Sequence, residues 1–252
     1  MKSTDPSTRL SRTALPPPPV SRLVHALCAP WMAIMRRVHR SKLSVAVFEE
    51  VGGCEFIVWP GVLNPVIFRA GRYLAEFIRT THLRNNGDAI PTALDIGTGC
   101  GVLGVIAAVR GYQVTAIDVE QTAASCAQAN AILNRVEHRM TVLRGDLFEP
   151  VQARSFDLVV FNLPFFRGTP ATPAERAWKS PDIIERCAAG LPAVLAPGGQ
   201  ALFVLSSHGD PAAMLDGLCR ASLTVERLTW RHFGVETMAI YSARHQTSPP
   251  KP

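Results

Sequence analysis

The feature that most constrains the fold is a short apolar stretch that runs into three glycines at alternate positions. The stretch covers residues 93–96, the glycines are Gly97, Gly99 and Gly101, and an apolar segment follows at 102–110. Glycine permits a tight turn and lets a ligand approach the backbone closely, and the helix after it presents unpaired N–H groups. The pattern therefore predicts a strand, a ligand-binding turn and a helix in succession.

Strand-like and helix-like segments alternate from about residue 91 onward. We predict strands at 93–96, 114–117, 140–143, 158–161, 201–205, 223–230 and 237–242, and helices at 102–110, 122–134, 181–195 and 211–221, with a turn at 197–199. Repeated strand–helix units imply a parallel sheet with helices on both faces, and the last two strands finish it as an antiparallel pair. The predicted fold class is α/β, with a Rossmann-like sheet that binds its ligand at the carboxyl ends of the strands.

The segments outside this alternation differ from it in composition. We predict a flexible Pro-rich basic tail at 1–19, an appendage at 20–65, a main domain at 66–246 that begins with a helix at 66–80, and a C-terminal tail at 247–252. Within the appendage we expect a helix at 20–40, interrupted at Pro30, and a β-hairpin at 43–59 that turns at Gly52-Gly53.

The net charge of +6 is distributed unevenly. Residues 1–42 contain eight basic residues and one acid, whereas the other 210 residues hold 18 basic and 19 acidic residues. Proteins that bind RNA directly usually spread Lys and Arg around the cleft that binds it. The neutral body therefore disfavours nucleic acid as its partner, and any anionic partner would be expected at residues 1–42.

The six cysteines do not form a C-x-x-C pair, and no group of histidines accompanies them. A zinc site and a disulfide framework are both disfavoured, and no metal is predicted. Free thiols indicate a reducing compartment, and no apolar run is long enough to span a bilayer. We therefore expect a cytoplasmic protein, with an organelle transit peptide as a second interpretation of the Arg-rich start.

Two acidic residues follow the second and third strands of the alternation. Asp118 is placed to accept hydrogen bonds from both hydroxyls of a ribose, although an Asp there could also cap the next helix. Asp146 could bond an adenine amino group, while Leu147 and Phe148 cover the ring. Together they indicate a site for a nucleoside.

The fourth strand ends in Asn162, which Leu163, Pro164, Phe165 and Phe166 follow. The amide of Asn162 offers an acceptor oxygen, Pro164 fixes the turn, and Phe165 can stack on a planar group. This arrangement suits a planar amide or amine nitrogen, and no general base accompanies it. The Pro- and Thr-containing stretch 167–179 comes directly afterwards and is a candidate substrate loop.

Residues 99–104 also satisfy G-x-G-x-x-G, the fingerprint of dinucleotide-binding proteins. Asp95 disfavours that interpretation, because a carboxylate beside the glycines would repel a pyrophosphate and suits a cationic ligand. A nicotinamide-dependent oxidoreductase therefore ranks lower, and the motif at Asn162 disfavours it as well. A non-catalytic scaffold is also disfavoured, since a scaffold would not need all four of Asp95, Asp118, Asp146 and Asn162.

Residues 56–243 resemble the class I S-adenosylmethionine-dependent methyltransferases. The segment 95–101 is similar to their first motif, and 162–165 resembles the Asn-Pro-Pro-Tyr/Phe signature of the branch that methylates nitrogen. That branch includes the release-factor glutamine methyltransferases and the small-domain RNA methyltransferases. The segment 58–65 is similar to the hairpin and proline-containing stretch before their core.

The resemblance implies S-adenosylmethionine as the cofactor and gives each motif a role. It implies that the cofactor is bound by Asp95, Gly97, Thr98, Gly99, Gly101, Asp118, Val119, Asp146, Leu147 and Asn162, and that catalysis uses Asn162, Leu163, Pro164 and Phe165. The implied activity is methyl transfer to an amide or amine nitrogen.

Leu163 departs from the family pattern, which usually has proline there. The departure disfavours a standard RNA or protein-glutamine substrate and favours a specialised small-molecule or peptide amine, within an expected acceptor class of small molecule, peptide or protein. Methylation of an amino group on an RNA or DNA base remains the alternative, and the oligomeric state is left open.

Overall fold

A computed structural model describes residues 15–18, 45–82, 90–164, 166–171 and 179–246. The predicted helix at 20–40 and the C-terminal tail at 247–252 lie outside these residues. No helix within the described ranges combines the length and the apolarity needed to cross a membrane.

An antiparallel hairpin and a helix come first in the described chain. They are β1 (Val47–Val51), β2 (Cys54–Val58) and α1 (Ala70–Thr80). The hairpin turns at Gly52 and Gly53, which have φ values of 60° and 75°, a left-handed conformation that glycine adopts without steric cost. The predicted hairpin is therefore confirmed.

The first half of the main domain follows the predicted alternation. Its elements are β3 (Thr92–Ile96), α2 (Val102–Val109), β4 (Gln113–Asp118), α3 (Gln121–Leu133) and β5 (Met140–Arg144). The strands are parallel, with β3 paired to β4 and β4 paired to β5.

The second half continues the alternation and ends in antiparallel strands. Its elements are a short 3-10 helix (Glu149–Val151), β6 (Phe156–Phe161), β7 (Phe166–Arg167), β8 (Lys179–Ser180), α4 (Ile183–Val194), β9 (Leu195–Ser206), α5 (Pro211–Arg220), β10 (Leu223–Phe233) and β11 (Glu236–His245). The two-residue strands β7 and β8 pair only with each other, apart from the main sheet.

Seven of the described strands form one sheet in the order β10-β11-β9-β6-β3-β4-β5. β9, β6, β3, β4 and β5 are parallel, and β11 runs antiparallel to both of its neighbours. From β3 the chain adds β4 and then β5 on one side of the sheet. It then crosses over to add β6 on the opposite side of β3. This switch point, where a crevice opens at the carboxyl ends of the strands, confirms the predicted Rossmann-like α/β class.

Each face of the sheet is covered by its own apolar cluster. On one face the hairpin and α1, α2 and α3 bury Phe56, Leu74 and Ile106. On the other face α4 and α5 bury Leu191, Met214 and other apolar side chains against the strands. Because the hairpin shares the first cluster, it is part of the packing that holds the sheet rather than a detached element.

The first helix begins later than the predicted residue 66. The side chain of Asn64 accepts hydrogen bonds from the backbone N–H groups of Val66 and Ile67, at 2.9 and 3.0 Å. These bonds hold the chain in a turn, and Arg69 then adopts a φ of 55° before α1 starts at Ala70. These bonds cap a single helical turn, in which Phe68 N also donates to Asn64 O at 3.1 Å, and the left-handed φ of Arg69 ends that turn, so the continuous helix begins four residues later than predicted.

The turn predicted at 197–199 lies instead inside β9. The pairing of β6 with β9 jumps from Phe156 opposite Leu195 to Leu158 opposite Gln200, so the extra residues form an irregularity in a continuous strand. Gly198, with a φ of 77°, permits the distortion. The sequence signal for a turn thus marked a bulge.

Residues 15–18, which belong to the predicted tail 1–19, contact the sheet. Tyr241 Oη donates a hydrogen bond to the carbonyl of Leu15 at 2.7 Å, and Arg227 Nη1 donates one to that of Pro16 at 2.9 Å. Pro17 is buried. Consecutive prolines have preset backbone angles, so docking them costs little conformational entropy.

Candidate functional site

A cavity of about 440 Å³ opens at the switch point of the sheet. Its walls come from the glycine turn after β3, the carboxyl ends of β4, β5 and β6, and the loop at 60–68. This volume lies in the range of sites for small molecules and cofactors. The cavity therefore stands where the fold class predicts a ligand.

The glycine turn forms the floor of the cavity. Gly97, Gly99 and Gly101 have φ values of 66°, 58° and 86°, so all three use the left-handed conformation. The N–H groups of Gly97 and Thr98 donate to the carbonyl of Ile117 at 2.9 and 3.0 Å, which ties the turn to β4. A side chain at Gly99 would meet open space, so the backbone there is accessible to a ligand.

Asp95 lies beneath the turn and outside the cavity lining. Its fully buried Oδ2 accepts hydrogen bonds from Thr98 Oγ1 at 2.6 Å and from Gly104 N at 2.9 Å, while Oδ1 has no partner among the described residues. Burial raises the pKa of Asp95 to about 7, although the two hydrogen bonds act to lower it. In this structure Asp95 holds the turn against α2 from behind.

Asp118 reaches the cavity from the end of β4. Its Oδ2 accepts a hydrogen bond from Gly99 N at 2.9 Å, and its Oδ1 accepts one from Glu120 N at 3.0 Å. Burial raises its pKa, and the two backbone bonds oppose that rise. Asp118 is not the cap of α3, because Glu120 is the residue that precedes that helix.

Asp146 and Leu147 form a third part of the wall, after β5. Leu147 adopts a φ of 48° and is buried. Asp146 is paired with Arg186 of α4, whose Nη2 lies 2.5 Å from Asp146 Oδ2, and this pairing raises the pKa of the arginine. Arg186 was not predicted as part of the site, because 40 residues separate the pair.

Asn162, Leu163 and Pro164 form the wall at the end of β6. The Oδ1 atom of Asn162 is buried and has no hydrogen-bond partner among the described residues. Leu163 is 6% exposed and packs beside the glycine turn, since a Cβ on Gly97 would lie 3.3 Å from Leu163 Cδ2. Phe165, predicted to stack on the acceptor, lies outside the described residues.

The opposite wall was not predicted as part of the site. It comes from the loop before α1 and from the start of α1, with Pro60, Gly61, Val62, Leu63, Pro65, Phe68 and Gly71 in the lining. A Cβ on Gly71 would lie 3.5 Å from Asn162 Nδ2, so the small residue brings α1 close to the end of β6. The prolines and the glycine in residues 60–65 indicate a loop, but only the fold shows that this loop faces the cavity.

Most of the predicted site residues meet at this one cavity. Those that line it are Gly97, Thr98, Gly99, Asp118, Val119, Asp146, Leu147, Asn162, Leu163 and Pro164. Gly101 is not in the lining, because it packs on α3, where an added Cβ would lie 3.1 Å from Ala127. Asp95 and Gly101 therefore shape the turn from outside the cavity.

The cysteines of the described chain are free, and most are buried. Burial raises the pKa of Cys100, which is in the lining, and raises that of Cys187 to about 12, so these thiols stay protonated at neutral pH. In the described ranges no three His, Cys, Asp or Glu side chains are grouped as metal ligands.

Comparison with known proteins places residues 74–229 in a family. This stretch matches the family model described as "Methyltransferase small domain". The chain is 32% identical over 151 residues to ribosomal RNA small subunit methyltransferase C of Alcanivorax borkumensis, a match that covers 60% of this chain and 42% of the relative. It is 34% identical over 133 residues to release factor glutamine methyltransferase of Geobacter sulfurreducens, covering 52% and 44%. The chain thus spans less than half the length of these curated relatives.

A solved structure shares the fold. The crystal structure of ribosomal protein L11 methylase from Lactobacillus delbrueckii subsp. bulgaricus superposes with a TM-score of 0.53 at 21% identity, covering 75% of this chain and 84% of that one. At this sequence identity the structural similarity supports a shared fold and nothing further.

Proposed function

The chain belongs to the methyltransferase small domain family of class I S-adenosylmethionine-dependent methyltransferases, and we propose that it methylates an amide or amine nitrogen. S-adenosylmethionine is its cofactor and supplies a methyl group already activated on a sulfonium. Such a reaction needs no metal and no strong nucleophile from the protein, because the donor is activated before it binds. The protein's task is to hold the acceptor nitrogen in line with the methyl group.

The described residues suit the cofactor. The open backbone at Gly99 would lie against its amino-acid part, Asp118 would accept hydrogen bonds from the ribose hydroxyls, and Asp146 with Leu147 would bind the adenine. The Arg186 pair occupies one oxygen of Asp146 and leaves the other for an amino group. The family assignment favours this interpretation over the nicotinamide-dependent oxidoreductase.

One observation carries the proposal of a nitrogen acceptor. Asn162 belongs to the cavity lining, and its buried Oδ1 has no hydrogen-bond partner among the described residues, a state that is costly for an acceptor oxygen. An N–H group of the acceptor would satisfy it. Asn162 accepting that hydrogen bond would orient the nitrogen lone pair, and Pro164 would hold the backbone that follows in a fixed turn.

The acceptor is proposed to be a small molecule, a peptide or a protein. The charged side chains in the described lining are carboxylates, those of Asp118, Glu120 and Asp146, and no Lys or Arg is among them. A site for a polyanion would carry cations. The relatives' names include both ribosomal RNA and a release factor as acceptors, so methylation of a nucleic-acid base is the alternative to be tested.

The test is transfer of radiolabel from S-adenosylmethionine to a panel of acceptors. The panel contains total RNA, ribosomal proteins, release factors and a fraction of small metabolites, and acid hydrolysis of the product shows whether label sits on nitrogen. We expect label on nitrogen in a protein or small-molecule fraction, and Asn162→Ala to lower kcat by about 10²-fold, the effect of removing one positioned hydrogen bond.

A control separates binding from catalysis. Asn162→Ala should lower kcat by a larger factor than it weakens binding of S-adenosylhomocysteine, since the turn and Asp118 are intact. Label on carbon or oxygen, or undiminished turnover by Asn162→Ala, would overturn the proposal, and label on RNA alone would overturn its choice of acceptor.

A further inference from the structure

Arg167 makes a set of ion pairs just beyond residues 162–164, which we call the Asn162 segment. Its Nη2 lies 2.6 Å from Glu185 Oε1, its Nη1 lies 3.2 Å from Glu185 Oε2, and its Nε lies 2.8 Å from Asp210 Oδ2. The guanidinium thus holds both oxygens of one carboxylate and one oxygen of a second. Lysine could not reproduce this, because a planar fork is needed to bind the two oxygens of Glu185 together.

The two carboxylates belong to rigid elements on the same side of the sheet. Glu185 lies in the first turn of α4, and Asp210 caps α5 by accepting a hydrogen bond from Ala213 N at 3.1 Å. Arg167 itself lies in β7, which pairs with β8 through Phe166 opposite Lys179 and Arg167 opposite Ser180. The chain that leaves the Asn162 segment is therefore tied to two helices within three residues of Pro164.

The pairs are too exposed to serve mainly as stability elements. The side chains of Arg167, Glu185 and Asp210 are 39%, 51% and 39% exposed. Ion pairs at such exposure contribute little to global stability, because water screens them. The pKa values of both carboxyls are lowered, chiefly by the hydrogen bonds from Arg167, so the cluster is fully charged at neutral pH.

We propose that Arg167 is a positioning residue, which holds the Asn162 segment in place by tying the chain beyond it to α4 and α5, and so keeps the acceptor site in shape. This inference rests on the proposed function, in which that segment binds the acceptor nitrogen. Arg167 is not in the cavity lining, so it acts through the backbone and not by touching substrate. With Arg167 anchored to two helices three residues beyond Pro164, the Asn162 segment should have less conformational freedom to lose when the acceptor binds.

The primary test is amide hydrogen exchange on the full chain, which requires no acceptor. In Arg167→Gln we expect amides between Leu163 and Gly168 and in Lys179–Ser180 to exchange about tenfold faster, with the melting temperature and the affinity for S-adenosylhomocysteine unchanged. Arg167→Lys should restore part of the protection. Asp210→Asn, which keeps the cap oxygen, and Glu185→Gln should each give part of the effect.

The matched control is Arg72→Gln, which breaks an ion pair of similar exposure between Arg72 and Glu76 on α1. It should leave exchange in 163–168 unchanged. Unaltered exchange in Arg167→Gln would overturn the proposal, as would a general loss of protection over the whole domain.

A kinetic measurement follows on whichever acceptor the panel identifies. Arg167→Gln should lower kcat about tenfold and change the KM for S-adenosylmethionine little, whereas a change in that KM alone would contradict positioning of the acceptor segment. The two proposals fail separately: faster exchange with no label on nitrogen would retain the positioning role and refute the nitrogen acceptor.

Discussion

Asn130 pairs with the backbone of Ile57 as a neighbouring strand would. Its Oδ1 accepts from Ile57 N at 2.8 Å, and its Nδ2 donates to Ile57 O at 2.9 Å and to Cys100 O at 2.8 Å. One turn later, at the C-cap of α3, Asn134 does the same with Glu55, at 3.2 and 2.7 Å. The two asparagines thus satisfy the free edge of β2, and the first of them also reaches the glycine turn.

Replacing Asn130 by Ala should destabilise the fold. Asn130 is completely buried, so the change removes the partner of Ile57 N and of Cys100 O and leaves Ile57 O with only the bond from Cys126 Sγ. We expect a loss of ~2–4 kcal/mol, as for buried groups deprived of their partners. Asn134→Ala is the control, because water can replace that half-exposed side chain, and it should cost less than ~1 kcal/mol. Urea unfolding measures both, and equal losses would show that burial does not decide the effect.

Asp118→Ala should weaken binding of S-adenosylhomocysteine. The change removes the proposed partner of the ribose and also frees Gly99 N, which donates to Asp118 in this structure. We expect a loss of at least about tenfold in affinity by titration calorimetry, in line with a charge-assisted hydrogen bond. The exposed Asp216→Ala on α5 serves as control and should bind normally. Full affinity in Asp118→Ala would remove this residue from the cofactor site.

Gly99→Ala should chiefly lower cofactor affinity, whereas Gly101→Ala should chiefly lower stability. Both glycines have positive φ, so both variants carry backbone strain. A Cβ at Gly99 meets open space on the cavity side, whereas one at Gly101 meets Ala127 at 3.1 Å. We therefore expect Gly101→Ala to lose ~1–3 kcal/mol more stability than Gly99→Ala, and Gly99→Ala to lose more cofactor affinity relative to its stability. The reverse order would contradict the packing of Gly101 on α3 and the open face of Gly99.

Asp95 should make stability fall as pH rises. Its pKa is about 7 in the folded protein and about 4 in an unfolded chain, so the folded form binds the proton more tightly between these values. The contribution of Asp95 to the free energy of unfolding is greatest below pH 4 and decreases progressively as the pH rises to 7. Asp95→Asn is isosteric and cannot ionise, so it should flatten this slope and raise the melting temperature at pH 8 relative to the wild type. Parallel profiles of melting temperature between pH 5 and pH 8 would refute the ionisation of Asp95.

Much of the site could be read from the sequence because its residues follow strands. Asp118 and Asn162 come directly after apolar runs, Asp146 follows one after Arg144 and Gly145, and parallel strands bring their carboxyl ends to one edge. The glycine turn was recognisable because only glycine adopts three positive φ values there without strain. These signals depend on neighbouring residues in the sequence, so they can be recognised without knowledge of the fold.

Other features could not be read because they depend on distant partners. The Arg186–Asp146 pair spans 40 residues, and the bonds from Asn130 to Ile57 span 73. Asp95 was expected beside a ligand, yet its side chain turns beneath the loop toward Thr98 and Gly104. The sequence pattern does not show whether the Asp95 side chain points toward a ligand or beneath the turn. In either case a carboxylate stands at the end of a buried strand.

The sequence by itself determined the order of strands and helices, the glycine turn and the set of polar residues at the strand ends. These follow from backbone preferences and hydrophobic spacing, which act over a few residues. Only the tertiary structure decided which of those residues face the cavity, that the loop at 60–68 forms its far wall, and that Arg167 ties the Asn162 segment to α4 and α5. Those outcomes are set by packing between elements far apart in the chain, where burial and pairing are decided by the whole fold.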